Sequence, residues 1–136
     1  MSDDDEAAGP PKPRAIVVGH GEFSAGLVSA VGQICGLADK LVVLSNTGMA
    51  PEDIEAAIRR ELARTGAHVI FTDLPGGSGT IAARRIAKEN PGLVLVTGVN
   101  LATLLDFVFS SAGTAEEAAR SAAERGKASL IVIERG

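Results

Sequence analysis

Runs of consecutive apolar residues at positions 15–18, 41–44, 69–71, 93–96 and 130–133 constrain this chain more than any other feature. A run that is apolar throughout has no polar face to give to water. It is buried on both sides, as in a parallel sheet covered by helices. Between the runs lie stretches with helical spacing and clear stops. Leu27, Val31 and Ile34 share one face of a helix over 23–35 that halts at Gly36. Pro51 suits a helical first turn, Ile54, Ile58 and Leu62 line its inner face, and Gly66 ends it. A third helix opens after the glycine-rich turn 75–79 and is broken by Pro91-Gly92. A fourth covers 101–111. Thr114 with Glu117 forms a capping box for a fifth, closed at Gly126.

Strand–helix alternation at this spacing gives right-handed βαβ units. The expected fold is an open, doubly wound parallel α/β sheet with helices on both faces. At 136 residues it is one domain. Only 3% of the residues are aromatic, so the core is built from Ala, Val, Ile and Leu. Residues 1–13 are acidic and then Ala/Gly/Pro-rich, the composition of a disordered tail, which leaves 14–136 as the folded domain. Most of the net charge of −4 comes from Asp3, Asp4, Asp5 and Glu6. No basic patch with stacking aromatics is present, which excludes a nucleic-acid footprint. The acidic start is unlike a secretory signal, and no apolar run is as long as a membrane span. A lone cysteine, Cys35, fits a reducing compartment. A cytoplasmic location is therefore expected.

Open α/β sheets bind ligands at the carboxyl ends of their strands, beside the switch point of the strand order. The first strand runs into Gly19-His20-Gly21, and the third into Asp73-Leu74-Pro75-Gly76-Gly77-Ser78-Gly79. In a sheet of order 2-1-3-4 these ends are neighbours, and His20 faces Asp73. An imidazole nucleophile needs one ring nitrogen unprotonated. A carboxylate that accepts a hydrogen bond from the other nitrogen fixes that tautomer and stabilises the positive charge that develops. Gly21, Gly76, Gly77 and Ser78 then offer backbone and hydroxyl donors for an anion at a helix start. Phosphoryl transfer of this kind rests on positioning and electrostatics, so neither a cofactor nor a metal is expected.

The segments IVVGHGEFSAGL, FTDLPGGSGTIAARR and GVNLATLLD, in that order, resemble the mannose-type enzyme IIA of the bacterial sugar phosphotransferase system (mannose/fructose/sorbose family). The resemblance spans essentially the whole chain after residue 13. It implies a sheet of order 2-1-3-4 and a phosphotransferase component that carries a phosphoryl group on His20 Nε2. Asp73 would orient Nδ1, and Ser78 would stand in the phosphate-cradling turn. It further implies phosphorylated HPr as donor and a IIB domain as acceptor in sugar uptake, with indirect membrane association through IIC and IID. Family members are homodimers that exchange the C-terminal strand, here residues 130–134. With no IIB domain in these residues, a separate acceptor chain is expected. The sequence departs from the family's usual pattern at Gly19 (Ser or Thr), Gly79 (Pro) and Ile81 (Asn).

Structural readings stand beside these. His68, at the opposite end of the third strand, and Cys35, at a helix end, read as structural. Asn100 either lines the pocket or caps the next helix. The stretch Ser45-Asn46-Thr47-Gly48 reads as a polar loop, and Glu116/Glu117 and Arg59/Arg60 as solvated helix faces. Four other functions compete with this one. A regulatory phosphocarrier without a transport role, or the phosphotransfer subunit of dihydroxyacetone kinase, shares the histidine chemistry. An aspartate-phosphorylated receiver needs an acidic cluster after the first strand, where this chain has Gly19-His20-Gly21. A nucleotide-binding module needs a glycine spacing that Gly19, Gly21 and Gly26 do not match.

Overall fold

The computed structural model describes residues 14–135; the tail at 1–13 lies outside them. Four strands, β1 (Ala15–Gly19), β2 (Leu41–Ser45), β3 (Val69–Thr72) and β4 (Val94–Thr97), form one all-parallel sheet of order β2-β1-β3-β4. Helices α1 (Phe23–Cys35), α2 (Pro51–Thr65), α3 (Ser78–Glu89), α4 (Leu101–Phe109) and α5 (Ala115–Ala128) connect and cover it, with a short 3₁₀ turn at Ala38–Lys40 before β2.

Alternation along the central strands divides the core in two. Ala15, Val17, Val69 and Phe71 face α1, α4 and α5, where they meet Val31, Leu104, Phe107 and Ala118. Ile16, Val18 and Ile70 point the other way, onto Ile54 and Ile58 of α2 and Ala83 and Ile86 of α3. β1 is buried along its whole length and β3 likewise, which is why both read as unbroken apolar runs. Phe71 and Phe107 supply the one aromatic contact of the core, edge to face at 5.1 Å between centroids. Arg14 lies over the Phe107 ring and donates to the carbonyls of Phe107 and Ser110, closing the end of the sheet opposite the strand carboxyl ends.

Four expectations change. The runs at 41–44 and 93–96 form the edge strands β2 and β4 and are not buried on both sides: β2 buries only Leu41 and leaves Val43 exposed, and β4 is half-buried throughout. Ile34 keeps the helical spacing of α1 but lies exposed at the end of the helix. Gly126 does not close α5: the helix continues to Ala128, and Gly126 sits buried against α4, where a Cβ would run into Thr103. Residues 130–133 form no strand in the single chain. They follow α5 as irregular backbone with 67–86% of their surface exposed. β4, which pairs on one side with β3, has no strand on its other edge among the described residues. A run apolar enough to be buried thus has no ladder among the described residues of its own chain.

Candidate functional site

The register places the site. Val18 of β1 pairs with Thr72 of β3, so the next residues along, Gly19-His20 and Asp73, emerge side by side at the carboxyl ends of the two central strands. Asp73 Oδ2 accepts two hydrogen bonds from one residue: the backbone N–H of His20 at 2.9 Å and His20 Nδ1 at 2.7 Å. The carboxylate side chain is 13% exposed and the imidazole 54% exposed. Nδ1 is therefore committed to Asp73, and Nε2 is the ring nitrogen left without a partner on the open side. Burial pushes the Asp73 carboxyl up. The ring and amide hydrogen bonds from His20 outweigh it and hold the group below its ordinary value.

Close approach explains two of the glycines. At Gly77, φ is +96° and a Cβ would stand 3.4 Å from His20 Cε1, so the start of α3 lies against the edge of the ring that carries Nε2. At Gly19, a Cβ would come within 2.9 Å of Phe23 Cδ2 and 3.4 Å of Asp73 Oδ2. The Phe23 ring fills the space that a larger residue before the histidine would use. This accounts for the departure from Ser or Thr at that position.

The turn from β3 into α3 is pinned from beneath. The buried Thr80 hydroxyl donates to the Leu74 carbonyl and accepts from the Thr72 hydroxyl at 2.7 Å. No side chain caps α3 from Gly77, so the N–H groups of its first turn, beginning at Ser78, remain for an anion. Gly76, Gly77 and Ser78 all lie in this turn. Gly21 does not offer its amide: that N–H donates to Thr47 Oγ1 at 3.1 Å, and Ser45 Oγ donates to the Gly21 carbonyl at 2.9 Å. Its contribution is the turn itself, at φ +54°. Asn100 caps α4. Its Oδ1 accepts from Thr103 N–H at 3.0 Å as the cap of α4, and its Nδ2 donates to the Gly126 carbonyl at 3.0 Å and toward Ser129 Oγ at 3.4 Å. It ties α4 to α5, as the cap reading expects.

Sequence reasoning passed over Asn46. This buried residue of the β2–α2 loop donates from Nδ2 to Ser78 Oγ at 3.2 Å, and its backbone N–H donates to the Gly19 carbonyl at 3.1 Å. The loop read simply as polar braces both halves of the site. The signal was weak, because Ser-Asn-Thr-Gly is equally the composition of an ordinary turn.

An exposed imidazole held by a carboxylate thus stands beside an uncapped helix start at the carboxyl ends of the two central strands of a 2-1-3-4 sheet, where open α/β domains bind ligands. The family model described as "PTS system fructose IIA component" matches residues 14–124. The chain belongs to this family, the mannose/fructose-type IIA components of the sugar phosphotransferase system. Solved structures agree in fold. The phosphotransferase system component EIIA from Streptococcus agalactiae superposes with a TM-score of 0.80 at 22% identity, covering 88% of this chain and 95% of that one. The mannose/sorbose specific IIA subunit from Enterococcus faecalis gives 0.80 at 23%, covering 93% and 98%. A putative phosphotransferase system permease from Klebsiella pneumoniae gives 0.76 at 25%, covering 89% and 90%. No curated protein matches the chain. No described helix is long and apolar enough to cross a membrane.

Proposed function

We propose that His20 Nε2 accepts a phosphoryl group from phosphorylated HPr and passes it to a IIB domain on another chain, as a step in sugar uptake. The observation that carries this reading is the 2.7 Å bond between His20 Nδ1 and Asp73 Oδ2, which engages Nδ1 and leaves Nε2 of the half-exposed ring as the nitrogen for the incoming group. In the forward step the Nε2 lone pair forms the N–P bond as the donor's bond to phosphorus breaks, the electron pair of that bond returning to the donor. Nδ1 keeps its hydrogen throughout, so no proton leaves His20. Positive charge grows on the ring, and the Asp73 carboxylate, already holding Nδ1–H, stabilises it. The first-turn amides of α3 and the Ser78 hydroxyl meet the phosphoryl oxygens. The same contacts serve the reverse geometry when the acceptor docks, and a group bound to an exposed ring is open to both partners.

The folded unit of this carrier is residues 14–136, and it works as a dimer. Residues 130–134 of one copy pair with the open edge of β4 in the other. Two features support this: the exposed apolar run after α5, and a groove of about 820 Å³ beside residues 92–96 of the β4 edge and α5. An unpaired edge and an unpaired apolar segment in one chain are each a liability that mutual exchange removes.

The test is a transfer assay with phosphoenolpyruvate, enzyme I and HPr. Wild-type protein takes up one acid-labile phosphate and His20→Ala none. Equal uptake by the two proteins would refute the assignment.

A further inference from the structure

Asn46 is a buried polar side chain, 8% exposed, in a loop with no evident core function. Its backbone is anchored on both sides: its N–H donates to the Gly19 carbonyl at 3.1 Å and its carbonyl accepts from Met49 N–H at 3.1 Å. The side chain is thereby carried from the end of β2 across the end of β1 to the first residue of α3, where Nδ2 donates to Ser78 Oγ at 3.2 Å. An amide NH₂ can only donate, so the serine oxygen accepts here. A hydroxyl has one hydrogen and two lone pairs. With a lone pair taken by Asn46, and no acceptor for Ser78 Oγ among the described hydrogen bonds, the hydroxyl hydrogen is left to point elsewhere. The neighbouring residue, Gly77, borders the His20 ring at Cε1.

We propose that Asn46 is a positioning residue: by donating to Ser78 Oγ it turns the serine hydroxyl into an obligate donor toward the phosphoryl group on His20. The inference rests on the carrier reading and extends it to a loop whose sequence reads as a polar loop. It also explains why Asn46 is buried while its neighbours Ser45 and Thr47 hold the other side of the site through Gly21. Asn46 itself touches no reacting atom.

The experiment measures single-turnover phosphoryl transfer from phosphorylated HPr to wild type, Asn46→Asp, Asn46→Ala, Ser78→Ala and the Asn46→Ala/Ser78→Ala double variant. Donor concentration is varied, and thermal unfolding is followed alongside. Asn46→Asp keeps the size but presents acceptors to Ser78, drawing its hydrogen back. The maximal rate is expected to fall at least as far as in Ser78→Ala, on the order of a hundredfold or more, the loss typical of removing one preorganised donor. Half-saturation by donor stays unchanged. In the Ser78→Ala background, removing Asn46 changes the rate less than about twofold, because the two act as one unit. A wild-type maximal rate in Asn46→Asp, or full multiplication of the two single effects in the double variant, would overturn the inference while leaving the carrier reading intact. An unlabelled wild type would overturn the carrier reading and the inference together.

Discussion

Replacing Asp73 by Asn removes one charge with almost no change in shape, so its effect can be worked out from the hydrogen bonds it makes. Oδ2 now accepts from both the amide and Nδ1 of His20. If the amide oxygen of Asn occupies that place, both bonds persist as neutral ones. If the NH₂ group occupies it, two donors oppose two N–H groups, and the backbone N–H of His20 cannot adapt. The oxygen-in orientation wins, the tautomer is kept, and the loss is electrostatic. Hydrogen bonds to charged groups contribute about 1.5–3 kcal/mol against about 0.5–1.5 for neutral pairs. The ring bond is the one that strengthens as positive charge builds during N–P bond formation. A loss of about 1–2 kcal/mol in the transition state corresponds to a rate reduction of about 5–30-fold. Rapid-quench transfer from saturating phosphorylated HPr, with circular dichroism to verify folding, measures this. A folded Asp73→Asn protein that transfers within about twofold of wild type would refute the assignment of charge stabilisation to this carboxylate.

The lowered pKa of Asp73 gives a pH signature. A carboxyl held below its ordinary value when folded adds stability above the unfolded value of about 3.8, and that stability is lost as pH falls through the lower folded value. The Tm advantage of wild type over Asp73→Asn therefore narrows in melts below about pH 4. Gly77→Ala forces an L side chain to positive φ against the His20 ring; it is expected to cost about 1–2 kcal/mol in denaturant melts and to slow transfer. Gly126→Ala drives a Cβ into Thr103 between α4 and α5, lowering stability by about 1–3 kcal/mol while the labelling of His20 is unaffected. Deleting residues 130–136 is expected to halve the mass in sedimentation equilibrium, and an unchanged mass would contradict strand exchange.

The order 2-1-3-4 is implied by the family resemblance, but both halves of the His20–Asp73 pair could be read from the sequence itself because β1 and β3 are buried on both faces. Complete burial forces unbroken apolar runs, and the first polar residues after such runs must be those at the strand ends. Gly126 was misread because a glycine late in a helical pattern looks like a stop. Its actual role, letting α5 approach Thr103 of α4, depends on a contact 23 positions away that local spacing does not encode. Asn46 was missed for the same reason: its partner Ser78 lies 32 positions further on, and only the parallel register of β2, β1 and β3 brings the two together. The run at 130–133 was recognised as strand-like from its composition, but composition does not specify which chain supplies its partner edge.

The central claim is that the phosphoryl group resides on His20 Nε2 while Nδ1 stays hydrogen-bonded to Asp73. Nitrogen-15 NMR of ring-labelled protein, recorded before and after phosphorylation by the enzyme I/HPr system, tests it most directly. The account predicts phosphorus coupling at Nε2 of His20 with Nδ1 still protonated. Coupling at Nδ1, or phosphate on any residue other than His20, would contradict it.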